Sequence, residues 1–167
     1  MEDTSTLPVR QPAAVLVPAQ SNPLRRILVV EEDDHIRSQN TEVLIRHGYH
    51  VDAAEDGAIA WKALKTGSYD LLITEHNVAK ITGIELLKAL RAARITLPII
   101  MATGNLPKWE FTLNPRLEPA ATLLKPYTTA ELLGTVQAIL RAHASPADQI
   151  VLPLSWPNRT PTDRLRP

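Results

Sequence analysis

Cysteine is absent from the 167 residues, which excludes a disulfide framework, a thiolate zinc site and a cysteine nucleophile. Net charge is absent too. The 18 Lys and Arg balance 18 Asp and Glu, so there is no net basic footprint of the kind that marks a nucleic-acid or anionic-membrane binder. Apolar runs stop at four or five residues, far short of the ~20 needed to cross a bilayer. The opening Met1-Glu2-Asp3-Thr4 lacks the basic-then-apolar plan of a secretory signal. The expectation is a soluble cytoplasmic protein with no nucleic-acid partner and no membrane partner. Glycine is scarce, 6 residues against 14 prolines, and no glycine-rich phosphate cradle or Ser/His/Asp order is present to support an enzyme.

The prolines that are present divide the chain. Four lie in residues 1–24 and five in 145–167, leaving five for the 120 residues between. Both ends therefore read as disordered tails flanking one domain at 25–144, because repeated proline interrupts helices and central strands. Inside the domain, short aliphatic runs alternate with helical patterns. Ile27 to Val30, His50 to Ala54, Leu71 to Thr74, Pro98 to Thr103 and Ala121 to Leu124 read as strands. The first helix follows the Glu31 to Asp34 run and ends at Gly48, and the second runs from Asp56 to Gly67. Thr82 with Glu85, and Thr128 with Glu131, form capping-box patterns ahead of helices three and five. The fourth helix is degenerate: a turn at Lys108 to Thr112 cannot continue through Pro115 and Pro119.

Strands alternating with helices predict a parallel α/β sheet covered on both faces, since right-handed crossovers place helices there. Ligands then bind beyond the carboxyl ends of the strands. Those ends carry Glu31 and Glu32, Glu75, Thr103 and Lys125. Taken singly, each charge is an ordinary helix-start residue. Together they bring three carboxylates, a hydroxyl and an ammonium to one edge. His76, beside Glu75, is placed to line the mouth of such a site, but no His or Glu spacing supports a metal role for it.

The blocks Ile27-Leu28-Val29-Val30-Glu31-Glu32-Asp33, Asp56-Gly57-Ala58, Tyr69-Asp70-Leu71-Leu72-Ile73-Thr74-Glu75, Gly83-Ile84-Glu85-Leu86-Leu87, Pro98 to Gly104 and Leu124-Lys125-Pro126-Tyr127 resemble, in order and spacing, the receiver domain of two-component response regulators. The resemblance implies a flavodoxin-like, doubly wound five-stranded parallel sheet in the order 2-1-3-4-5. It further implies that position 75 accepts a phosphoryl group from a histidine kinase, and that the positions of Glu31 and Glu32, with the backbone at Asn77, hold Mg²⁺. Thr103 and Lys125 would receive the phosphoryl oxygens, and position 122, often aromatic, would belong to the switch. This chain has Glu75 where the family has aspartate, Glu32 where it usually has aspartate, and Thr122 at the switch position.

Glutamate carries its carboxylate about one bond length further out, and a misplacement of roughly 1 Å costs on the order of a hundredfold in reaction. Mg²⁺ tolerates little departure from octahedral geometry at about 2.0–2.1 Å. The expectation is an atypical receiver with phosphorylation lost or severely weakened and weak Mg²⁺ affinity. Two outcomes stand open for Glu75: its arm reaches Lys125 and Thr103 and mimics phosphoaspartate, or it fills the pocket inertly. With no metal present, three glutamates around one lysine are expected to raise at least one carboxylate pKa.

With only 23 residues after Ala144, the reading is a stand-alone signalling module, not an enzyme, whose partner is a histidine kinase or another signalling protein. Trp109 and Phe111 in the broken fourth helix offer either a docking surface or a cover for the sheet. The competing readings are a conventional Mg²⁺-dependent receiver that tolerates Glu75, and a flavodoxin-like nucleotide binder. The acidic first loop, without a glycine cradle, argues against the latter.

Overall fold

Successive side chains on a strand point to opposite faces of its sheet, and here both faces are apolar. In a computed structural model of the protein, residues 24–105 and 108–144 are described, the side chains of 108–110 excepted. Apart from Leu24, the expected tails lie outside the described residues. Five strands, β1 (Arg26–Val30), β2 (His50–Ala54), β3 (Leu71–Thr74), β4 (Ile99–Thr103) and β5 (Ala121–Leu124), form one sheet in the order β2-β1-β3-β4-β5. Every neighbouring pair is parallel. The expected topology is the observed one.

The period of two sorts the core into halves. Leu28, Val30, Leu72 and Ile99 face α2 (Gly57–Thr66) and α3 (Gly83–Ala92), where Ala60, Leu64, Leu86, Leu87 and Leu90 meet them. Ile27, Val29, Leu71, Ile73 and Ile100 face the other way, towards Leu44 of α1 (Asp34–Arg46) and Leu132, Val136 and Leu140 of α5 (Thr129–Ala142). Burial of such side chains contributes roughly 1.5–3 kcal/mol each, which is why the central strands read as unbroken aliphatic runs.

Local signals set the helix boundaries. Asp33 caps α1 by accepting from the His35 and Ile36 N–H groups, and Asp56 caps α2 through Ile59 N–H. Both expected capping boxes are present, at Thr82 with Glu85 and at Thr128 with Glu131. The fourth helix, α4 (Lys108–Leu113), has six residues and gives way to a 3₁₀ turn at Pro115–Leu117. Phe111 and Leu117 pack onto the α2/α3 half of the core. Phe111, partly buried, thus contributes to the cover of the sheet that was one of its two expected roles; the side chain of Trp109 lies outside the described residues.

Two glycines, Gly57 and Gly83, are dictated by contact with backbone. A Cβ at Gly57 would lie 1.8 Å from the backbone oxygen of Ile81, whereas one at Gly134 in α5 would meet nothing within 4 Å. Gly57→Ala is therefore expected to destabilise the protein because backbone must move, while Gly134→Ala stabilises it by about 1 kcal/mol through helix propensity. Urea unfolding of both variants checks the opposite signs.

Candidate functional site

The strand ladder carries its register one residue past the strands, and this aligns the site. Glu31 N–H donates to the Ala54 carbonyl, Glu75 N–H to Val30, and Lys125 N–H to Thr103. The side chains that emerge beyond β1, β3, β4 and β5 consequently meet at one edge. They line a surface pocket of about 540 Å³ that includes Glu31, Glu32, Glu75, Asn77, Thr103 and Lys125. The structure brings together all six residues expected there. Thr122 is not among the lining residues: it is exposed on β5, in register with Met101. His76 is not among them either, and its Nδ1 is buried without a hydrogen-bond partner.

An ammonium sits between two carboxylates. Lys125 Nζ lies 2.5 Å from Glu31 Oε2 and 2.8 Å from Glu75 Oε2. Glu31 and Glu75 are 5% and 8% exposed, so the pair is held where water screens it poorly. The second oxygen of Glu75 accepts the N–H groups of His76 at 2.6 Å and Asn77 at 3.3 Å. The second oxygen of Glu31 accepts the Asp33 N–H at 3.2 Å. Thr103 is fully buried, its hydroxyl bonded to the Asn105 backbone.

These contacts set the ionisation. Burial pushes the Glu75 carboxyl up, but the Lys125 ammonium, the Thr103 hydroxyl beside it and the Asn77 N–H together outweigh burial and lower its pKa. The expectation that at least one carboxylate of the cluster is raised does not describe Glu75, where the ammonium at 2.8 Å decides the direction. Burial lowers Lys125, and Glu31 and Glu75 outweigh it and raise its pKa. Both groups are charged at neutral pH. The Tyr127 phenol behind Lys125 is raised by burial and accepts from the Asn40 amide at 2.8 Å.

Three supports were not legible in the sequence. Arg37, in the first turn of α1, reaches back to donate to the carbonyls of Glu31 at 2.6 Å and Glu32 at 3.1 Å. Its place one turn after the Asp33 cap is the only signal it carries. The loop after β3 is clamped to the start of α2: Gly57 N–H donates to the Ala79 carbonyl at 3.1 Å, and Lys80, at φ 68°, pairs with buried Asp56. That clamp fixes the loop that supplies the His76 and Asn77 amides. Asn40 is the third, through its bond to Tyr127.

The donor set suits Mg²⁺ chemically, being hard oxygens, but its arrangement does not. Both buried carboxylates are bonded to the same ammonium, Glu32 is exposed at the rim, and among the described residues no three acidic or imidazole groups are placed to hold a metal ion.

Comparison with known proteins returns one family. The model of the response regulator receiver domain matches residues 27–137. The alkaline phosphatase synthesis transcriptional regulatory protein PhoP of Bacillus subtilis is 33% identical over 70% of this chain and 49% of its own. The transcriptional regulatory protein CpxR of Escherichia coli is 36% identical over 71% of this chain and 50% of its own. The chain thus spans about half the length of the curated relatives it matches. Among solved structures, the chemotaxis response regulator CheY4 of Vibrio cholerae aligns with a TM-score of 0.63 at 27% identity, covering 70% of this chain and 98% of that one. The response regulator TrrA of Thermotoga maritima, solved in complex with Mg²⁺ and BeF, gives 0.62 at 29% identity over 70% and 99%.

Because its pKa is lowered, Glu75 contributes stability that is present above its unfolded-state pKa and is lost as pH falls through the folded one. ¹³C NMR titration is expected to place the Glu75 carboxyl below its ordinary value. In Lys125→Met, burial acts unopposed by the ammonium and the same carboxyl titrates higher than in wild type.

Proposed function

Because the chain belongs to the response regulator receiver domain family, we propose that it is a signalling receiver in which Glu75 replaces the phosphoacceptor and acts as a built-in substitute for the phosphorylated residue. Receiver domains are signalling modules that interact with histidine kinases and other signalling partners, and they typically bind Mg²⁺ at the phosphorylation site. In this chain ordinary phosphoryl transfer is lost or severely weakened.

One observation carries the reading. The Glu75 carboxylate already holds the Lys125 ammonium, which the family resemblance assigns to a phosphoryl group, at 2.8 Å, with the Thr103 hydroxyl of the same assignment beside it, and its other oxygen accepts the Asn77 N–H at 3.3 Å. An incoming phosphoryl would have to displace the carboxylate from these partners before it could be stabilised by them. The nucleophile is also spent, because an anion paired with an ammonium and two amides is a poor attacking group. A carboxylate has one negative charge where a phosphoryl carries nearly two. The differential contact with the two states is correspondingly smaller, so the population shift is weaker than full phosphorylation produces.

A conventional phosphorylatable receiver is the opposing reading, and intact-mass measurement separates the two. Incubated with acetyl phosphate and Mg²⁺, the wild-type chain is expected to gain a phosphoryl adduct at least about a hundredfold more slowly than Glu75→Asp. Labelling of wild type at Glu75 at a rate matching Glu75→Asp would contradict the reading. For the mimic itself, the amide resonances of Thr103, Asn105 and Lys125 in wild type are expected to match phosphorylated Glu75→Asp better than the unphosphorylated variant.

A further inference from the structure

Every oxygen of the two buried carboxylates in the pocket already has an internal donor. Oε2 of Glu31 and Oε2 of Glu75 share the Lys125 ammonium at 2.5 and 2.8 Å. Oε1 of Glu31 faces the Asp33 N–H at 3.2 Å, and Oε1 of Glu75 faces the His76 and Asn77 N–H groups. We propose that Lys125 is the resident cation of this pocket, taking the place of a divalent metal, and that the pocket is closed to Mg²⁺ for as long as the ammonium stays.

Three physical points support this. A divalent ion bound to either carboxylate would sit beside an ammonium on the same oxygens, so each cation disfavours the other. Mg²⁺ gives up its water reluctantly and needs near-octahedral oxygens. The amides of His76 and Asn77 pin one Glu75 oxygen, and the clamp between Asp56 and Lys80 keeps their loop from turning to accommodate it. Glu32, exposed at the rim, is then a single carboxylate, too little to hold the metal alone.

Charge count completes the argument. One ammonium faces two buried carboxylates, with Glu32 and Asp33 also lining the pocket. With Lys125 present, only the excess is left to solvent ions. Without it, the Glu31 and Glu75 carboxylates lose their shared cation and are free to turn towards Glu32 and a divalent ion, which prefers such hard oxygens. Lys125 therefore makes the pocket indifferent to Mg²⁺, and the signalling state is set by the chain itself. This inference builds on Glu75 as the pocket's own anion, yet the two fail separately: phosphoryl labelling tests Glu75, and metal binding tests Lys125.

The test titrates Mg²⁺ alone into the full chain, read by calorimetry and by amide shifts at Glu32, His76 and Asn77. Wild type is expected to show no saturable binding in the millimolar range. Lys125→Ala and the longer, uncharged Lys125→Gln are expected to bind at least roughly tenfold more tightly than wild type, and Glu75→Gln added to either variant should abolish the gain. Should Lys125→Ala not fold, Lys125→Gln carries the comparison. Saturable submillimolar binding by wild type, a folded Lys125 variant without the gain, or a gain that survives Glu75→Gln would each overturn the proposal.

Discussion

The ammonium of Lys125, held between the carboxylates of Glu31 and Glu75, is the interaction on which the functional edge depends. It ties the ends of β1, β3 and β5 together across the sheet. Removing water from two acids is costly, and the structure offsets that cost only because the cation and three backbone amides are already in place. The rest of the fold can be understood as the means of delivering those groups. The parallel register extends one residue beyond β1, β3 and β5, Arg37 holds the carbonyls of the acidic turn, and the contact of Gly57 with Ile81 leaves the β3–α3 loop a single seat.

From this follows the chemical character of the pocket. An aspartate at position 75 would stop about a methylene short of the ammonium, leaving space and donors for a phosphoryl. Glutamate closes that gap itself. On the proposed reading, the anion that these donors would meet is already part of the chain. The lowered pKa of Glu75 and the raised pKa of Lys125 describe the same fact from both partners.

Much of this was legible in the residue order. The aliphatic runs gave the strands, the two Thr/Glu capping boxes gave the starts of α3 and α5, and the strand ends gave six of the nine residues that line the pocket. Pro115 and Pro119 announced a short fourth helix. What could not be read was anything set by distance between separate elements. Whether Phe111 faced solvent or core depended on how far α4 sat from Leu117 and the α2/α3 layer. The direction of the Glu75 shift depended on the Lys125 ammonium at 2.8 Å, a distance that counting three acids against one base does not give. Backbone donors were invisible for a similar reason: the His76 and Asn77 amides matter through the turn of their loop, which the Asp56 to Lys80 clamp and Gly57 impose from another helix. Thr122 illustrates the reverse case, a position singled out by resemblance whose side chain is exposed on β5 outside the pocket.

The central claim is that Glu75 occupies the donors a phosphoryl group would need. Its most direct test is the addition of beryllofluoride with Mg²⁺ to the wild-type chain, following the amide resonances of His76, Asn77, Thr103 and Lys125. If the carboxylate holds those donors, the four resonances stay where they are, while Glu75→Asp shows saturable shifts under the same conditions. Saturable shifts of the same size in wild type would contradict the account.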